Sequence, residues 1–196
     1  MEDRLLNLTY EHLREKNKRI ADLYDQFAVY QEKIERTLLD GSLSNGARQA
    51  EAYDVYVEAI KQAESLLSNL SEDASNSIDS LYEKFIGKSE LSIGDATAMI
   101  RELKERTESE AYDTLSSSQL ARQAIMTYSD ALGNGGITSL MRTLDEVFND
   151  THKAELSELN TLKQASQSLE QSFKENLQSS FPDFHEAMTI ADSRID

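Results

Sequence analysis

Three histidines, His12, His152 and His185, are the natural starting points for chemistry in this chain. Long helical bundles build di-iron centres from inward-facing Glu residues and Glu-x-x-His pairs, because residues three apart share one helix face. The residues three before the histidines are Thr9, Asn149 and Pro182, so that pair is missing each time. The histidines are also far apart in the chain, which leaves no His-Glu-x-x-His zinc motif. Cysteine is absent, and with it disulfides, a thiolate nucleophile and thiolate-bound metal. Serines are numerous, but none lies in a Gly-x-Ser-x-Gly elbow. The carboxylate pairs Glu72-Asp73 and Asp145-Glu146 read as helix-surface charge. The run Gly133-Asn134-Gly135-Gly136 would cradle a phosphate only after a strand or with a Gly-Lys-Ser/Thr ending, and it has neither. It reads as a helix C-cap and tight reversal, with Gly133, Gly135 and Gly136 as a candidate hinge or partner-facing loop. The expectation is a protein that is not an enzyme, with no cofactor and no metal.

Charge narrows the partners. The 36 acidic and 20 basic residues give a formal net charge of −16. Binding a phosphate backbone needs a basic footprint. The nearest one, Arg14, Lys16, Lys18 and Arg19, is interrupted by Glu11 and Glu15. Direct nucleic-acid binding is therefore not expected, and an anionic membrane is disfavoured for the same reason. Acidity suits basic protein partners instead. Met1-Glu2-Asp3-Arg4 does not lead into an apolar run, and no apolar stretch approaches the ~20 residues of a membrane span. The expectation is a soluble chain with no signal peptide or transmembrane segment, cytoplasmic or virion-associated.

The elements that would position any site read as helices. Leu6, Leu13, Ile20, Phe27 and Ile34 recur every seven residues, with Tyr10, Asn17, Tyr24, Gln31 and Leu38 at the companion positions. That is the seam of a long helix laid on other helices. A second heptad runs through Tyr53, Ile60, Leu67, Ala74 and Leu81. Folding the chain about the turn at 41–46 sets Leu6 on Leu81, Leu13 on Ala74, Ile20 on Leu67, Phe27 on Ile60 and Ile34 on Tyr53. The two stripes agree in phase, which argues for an antiparallel helical hairpin.

The seven glycines and single proline punctuate the chain into segments 1–40, 47–86, 95–132 and 137–181. Helices of about 40 residues are about 60 Å long, and matched lengths joined by short turns favour an up-down-up-down arrangement. Ser92 caps a helix start with Asp95 in its first turn. Its buried face takes Ala96, Met99, Ile100 and Leu103, then Ala121, Ile125, Tyr128 and Leu132. Between them Thr107, Ala111, Thr114 and Ser116-Ser117-Ser118 hold little apolar bulk, so a kink or break with a serine restarting the helix is expected there. Folding about the glycine cluster pairs Tyr128 with Met141, Ala121 with Phe148, Ile100 with Leu169, and Thr114 with Glu155. After Pro182, the residues Phe184, Met188, Ala191 and Ile195 form one stripe of a short amphipathic helix. Phe184, Met188 and Ile195 are candidate interaction residues, docking on the chain itself or on a partner.

The expected fold is all-α: an elongated antiparallel four-helix bundle, coiled-coil-like, with a short C-terminal amphipathic helix. It is expected as one helical domain over 1–196, composed of hairpin 1–86, hairpin 95–181 and C-terminal helix 182–196. The helix–turn–helix around Leu39-Asp40-Gly41 resembles bacterial type VII secretion substrates, small helical hairpins with Trp-x-Gly or Leu-x-Gly at the turn. The chain has no Trp and no Tyr followed four residues later by Asp or Glu, the export signal of that group. The resemblance implies a secreted helical-hairpin protein. The leading expectation from the residues themselves is a structural or interaction protein, a building block or adaptor in a larger bacterial or phage assembly, with protein partners that include a second copy of itself. An acidic inhibitor seated in a partner's basic nucleic-acid-binding groove is the alternative. A ligand-binding bundle using the polar middle around Thr114, Ser116 to Ser118 and Glu155 is a further one.

Overall fold

A computed structural model of the chain describes residues 18–88 and 90–193. Every regular element among them is a helix: α1 (Lys18–Leu39), α2 (Asn45–Ile86), α3 (Ile93–Lys104), α4 (Glu108–Ser117), α5 (Gln119–Leu132), α6 (Thr138–Thr151), α7 (Lys153–Gln178) and α8 (Phe184–Asp192). None of them is long and apolar enough to cross a membrane. The described residues group into two compact units, with the chain passing from one to the other between Asp73 and Ala74 and back between Asn160 and Thr161. Those crossings fall inside α2 and α7.

The first unit holds α1, α2 up to Asp73, α7 from Thr161, and α8. Ile20, Leu23, Leu67, Leu70, Leu169 and Phe173 form one core cluster. Ile34, Tyr56, Ile60, Leu177, Phe181 and Ala187 form another, and Phe27 packs against both. The fold-back pairs Ile20 with Leu67, Phe27 with Ile60 and Ile34 with Tyr53 share these clusters, because the 3.6-residue period keeps each heptad stripe on one face. The pairs of Leu6 and Leu13 lie outside the described residues. From α7, Ala165, Leu169, Phe173 and Leu177 enter the cores at a spacing of four. The Lys174 ammonium bridges Glu170 on its own helix (2.6 Å) and Glu64 on α2 (2.9 Å). Those two hydrogen bonds raise its pKa.

The second unit holds the end of α2 from Ala74, then α3 to α6, then the start of α7. Within it α3 lies on α5, α4 on α6, and α5 on both α4 and α6. Its core includes Phe85, Ile100, Leu103, Leu115, Ile125, Ile137, Leu144, Val147, Phe148 and Leu156. Tyr128 with Met141 and Ala121 with Phe148 belong to this core as expected.

The break expected around Thr107 to Ser118 occurs, with Ser118 restarting the helix as expected, and a further start at Thr107 makes three helices of the segment 95–132. A reciprocal capping box at Thr107 and Glu110 starts α4, and Ser118 both ends α4 and caps α5 through the Ala121 N–H (3.2 Å). Orphan amides that find side-chain acceptors make these restarts cheaper than forcing a polar stretch through one helix. The segment 137–181 breaks at His152, after Asn149-Asp150-Thr151, a run of weak helix formers in which Thr151 bonds back to the Val147 carbonyl (2.7 Å). Ile100 does not meet Leu169, because the first lies in the second unit's core and the other in the first unit's.

Helix ends in the second unit are tied by Arg122. Its Nε donates to the Phe85 carbonyl (2.8 Å), and its Nη1 donates to the carbonyls of Leu115 (2.8 Å) and Ser116 (3.2 Å). The guanidinium carbon sits 4.4 Å from the centre of the Phe85 ring. Beside it, Gln123 Nε2 donates to the Lys88 carbonyl (2.6 Å). Gly87 follows α2 with a φ of 74°, and a Cβ there would lie 1.7 Å from Gln119 Nε2. The positive φ favours glycine at that position, and the Gln119 side chain occupies the space that its missing Cβ leaves.

Tyr82 locks the last turns of α2 to α6. Its ring stacks edge-on against Phe148 (4.9 Å) and its hydroxyl donates to Asp145 (3.4 Å). Burial, then the Asp145 carboxylate, pushes the phenol up to about 12. A phenol raised on folding contributes stability that is complete below its unfolded value of ~10 and is lost as pH rises through the folded value. Alkaline melting curves should therefore show a stability loss between those two pH values that Tyr82→Phe reduces, and the same substitution should remove the latest-titrating part of the phenolate absorbance. In the other unit, Leu67→Ala should cost about 3 kcal/mol in urea denaturation followed by circular dichroism, as a buried leucine truncation does. An unmoved midpoint would contradict the α1–α2 pairing.

Candidate functional site

The groups first considered for chemistry are dispersed and engaged. His152 stacks against Phe148 (5.3 Å) and Phe85 (6.0 Å), and its Nδ1 lies 2.8 Å from Glu155 Oε2. His185 is exposed on α8, and His12 is outside the described residues. No group of three or more His, Asp or Glu residues that could hold a metal ion occurs among the described residues. Thr114 accepts a hydrogen bond from Arg106 and donates to the Glu110 carbonyl (2.7 Å), while Glu155 pairs with His152. The Ser116 and Ser117 hydroxyls bond back to the carbonyls of Tyr112 (2.9 Å) and Asp113 (2.8 Å) on their own helix. The polar middle expected around Thr114, Ser116 to Ser118 and Glu155 is thus consumed in local helix bonds. The carboxylate pairs are likewise occupied: Asp73 by Arg19, Asp145 by Tyr82 and Glu146 by Arg142.

The glycine turn is the most open backbone of the second unit. Gly133 ends α5 with a φ of 76° and donates to the Ser129 carbonyl (2.8 Å). Asn134 to Ile137 form a tight turn closed by the Ile137 N–H on the Asn134 carbonyl (3.2 Å), and Gly136 in third place has a φ of 76°, a value that favours glycine. The turn is anchored by Ile137, which is fully buried, while Gly133, Asn134, Gly135 and Gly136 are exposed. Nothing lies within 4 Å of where a Cβ would sit on Gly133 or Gly135. Leu132, immediately before, is 58% exposed. Ile137, at the N-cap of α6, makes no side-chain cap bond. Sequence reasoning found the three glycines but took Leu132 for a core residue, because the last turn of an amphipathic stripe looks the same whether or not a neighbour covers it.

Beside this turn lies a cleft of about 230 Å³ lined by Leu103, Lys104, Arg106, Glu108, Ser139 and Thr143, among others. Lys104 Nζ reaches to 3.3 Å of the Cβ position on Gly136. Glu108 is paired with Arg142 (2.5 Å), and Thr143 donates to the Ser139 carbonyl (3.0 Å). No side chain here is arranged as a nucleophile with a neighbouring base.

The C-terminal helix docks within the first unit. Asp183 caps it by accepting from the Glu186 N–H (2.9 Å), so Pro182 lies outside the helix it was expected to start. Phe184 packs on Tyr56 (4.9 Å), Phe181 (5.4 Å) and Tyr53 (5.7 Å). The buried face runs through Ala187 and Ala191, with Met188 half-buried. Ile195 is outside the described residues. Small residues let α8 come close to the start of α2, where Ile190 Cγ2 is 3.9 Å from the Cβ position on Gly46. Burial, then the charge of Asp192, raises the Tyr53 phenol. Ala187 was missed because a lone alanine gives no hydrophobic signal.

Comparison with protein-family models, with curated proteins and with solved structures returns no match. The Leu39-Asp40-Gly41 turn itself is ordered by Asp40, whose carboxylate accepts from the Ser42 N–H (2.8 Å) and hydroxyl (2.6 Å). Phe184→Ala should loosen α8 at a cost of about 2 kcal/mol, below the full cost of a wholly buried phenylalanine. Limited proteolysis should then cut the chain after Ser179 faster, leaving the second unit's rate of cleavage unchanged.

Proposed function

We propose that this chain is a non-enzymatic interaction protein, a helical building block or adaptor in a larger protein assembly of bacterial or phage type. The observation that supports it is the α5–α6 turn. Open backbone at Gly133 and Gly135 stands next to an exposed leucine, and the amide groups at the start of α6 lack a side-chain cap. Exposed apolar side chain and free backbone polar groups together are what a protein partner can bury and pair with. Leu39, 81% exposed beside the α1–α2 turn, offers a comparable feature in the first unit. The heptad seam of α1 is read as a coiled-coil-like seam that serves the fold, so partners are met at turns and outer faces. The partner is a protein, with a second copy of this chain the first to be tested.

The net charge of −16 favours a second reading, an acidic regulator that occupies a basic groove on its partner. The two differ in salt dependence: charge pairing between exposed groups is screened by salt, whereas an apolar contact is not. Size exclusion coupled to light scattering, at low and high salt, decides between them. The expected result is a salt-resistant oligomer or partner complex that Leu132→Asp weakens without changing the helical circular-dichroism signal. A complex that disperses with salt supports the acidic regulator. A strict monomer that recovers no partner at either salt concentration rejects both.

A further inference from the structure

We propose that Asn134 is a site of spontaneous deamidation, assisted by the Ser129 hydroxyl, which converts the α5–α6 turn to a more acidic and partly rearranged form. Three features of the turn meet at this residue. The next residue is Gly135, which carries no side chain to shield its backbone nitrogen and has open space around its Cβ position. Gly135 donates no backbone hydrogen bond among the described residues, since the turn is closed by Ile137 and Gly133 donates to Ser129. The Asn134 side-chain oxygen accepts a hydrogen bond from the Ser129 hydroxyl.

The chemistry needs only water. Hydroxide removes the proton from the Gly135 nitrogen, which attacks the Asn134 amide carbon Cγ and forms a new C–N bond. The electron pair displaced onto Oδ1 is held by the hydrogen bond from Ser129, an arrangement of the kind that stabilises acyl-transfer oxyanions. The original Cγ–N bond then breaks, and ammonia leaves after protonation by water. The product is a five-membered succinimide. Water adds to either of its two carbonyl carbons and opens the ring, giving aspartate or isoaspartate at 134. The sum is one water consumed and one ammonia released.

The chain contains its own control. Asn45-Gly46 is the same dipeptide, but both residues lie in the first turn of α2. There Ser44 accepts from the Arg48 N–H at its carbonyl (3.0 Å) and from the Ala47 N–H at its hydroxyl (3.2 Å). Bringing the Gly46 nitrogen onto the Asn45 side chain would require unwinding that turn. The surroundings also accommodate the product at 134: the new carboxylate would stand ahead of the uncapped start of α6, near the Lys104 ammonium.

The test is to hold the full chain at mildly alkaline pH and physiological temperature, then digest it and weigh the peptides, scoring isoaspartate with an isoaspartyl methyltransferase. The expected result is a gain of one mass unit and isoaspartate on the peptide carrying Asn134, with the Asn45 peptide unchanged, while a urea-unfolded sample modifies both. Asn134→Gln should remove the signal, and Ser129→Ala should slow it severalfold with an unchanged melting curve. The proposal is overturned if Asn45 keeps pace with Asn134 in the folded protein, or if Asn134 stays intact over the time in which the unfolded chain reacts. A Ser129→Ala rate equal to or above that of the unchanged protein overturns the assisting role of the hydroxyl.

Discussion

The second unit is tied together by a cation held on backbone carbonyls and an aromatic face. Arg122 faces no carboxylate in its half-buried position, although the chain is strongly acidic. It is balanced by the carbonyls of Phe85, Leu115 and Ser116, which are the ends of α2 and α4, and by the face of the Phe85 ring. The last carbonyls of a helix have no partner within it and carry its negative dipole end. One guanidinium with a rigid fork of donors can satisfy two such ends together, which a lysine cannot do. Burial lowers the Arg122 pKa, yet an arginine stays charged in a protein, so the cation must keep these acceptors. The break between α4 and α5 at Ser118 leaves the Leu115 and Ser116 carbonyls at a helix end, where Arg122 takes both.

The first unit is organised by different physics. Two heptad stripes and the α7 stripe at spacing four bring the apolar residues of its helices into two shared core clusters. Aromatic packing closes one end, where Tyr53, Tyr56, Phe181 and Phe184 meet around α8. The Tyr56 hydroxyl accepts from Gln178 (3.0 Å), which satisfies the one polar atom that ring carries. Edge-to-face rings hold their geometry better than aliphatic side chains of equal area, so a helix of nine residues, too short to stand alone, is fixed in place.

What could be read from the residues follows this contrast. Ile20 with Leu67 and Ile34 with Tyr53 were legible because a heptad repeats one statement several times, so a single exception such as Asn17 or Gln31 does not hide it. Ser92 was legible because a cap is a local motif. Thr107-Glu108-Ser109-Glu110 carries the same kind of signal, a Thr three residues before a Glu, in the stretch where lost apolar bulk already marked a break. The ties at Arg122, Gln123 and Gly87 were not legible at all: they join residues about 35 apart through backbone atoms, and backbone carries no side-chain code. The same limit explains Leu169. Its spacing fits any neighbouring helix, and only the break at His152 determines which core it enters.

The glycine turn stands where these two kinds of constraint run out. Ile137 is buried and the Gly133 amide is used, so the turn is held at both ends, while the Cβ positions of Gly133 and Gly135 face open space. Elsewhere in the second unit an exposed polar group is matched quickly, by a capping box, a serine bonding back along its helix or an arginine on a carboxylate. Gly135 in particular has neither a positive φ nor a close neighbour to require glycine, so a larger residue would fit there without strain. The fold therefore sets no demand for glycine at 135, in contrast to Gly133 and Gly136, whose positive φ values favour it.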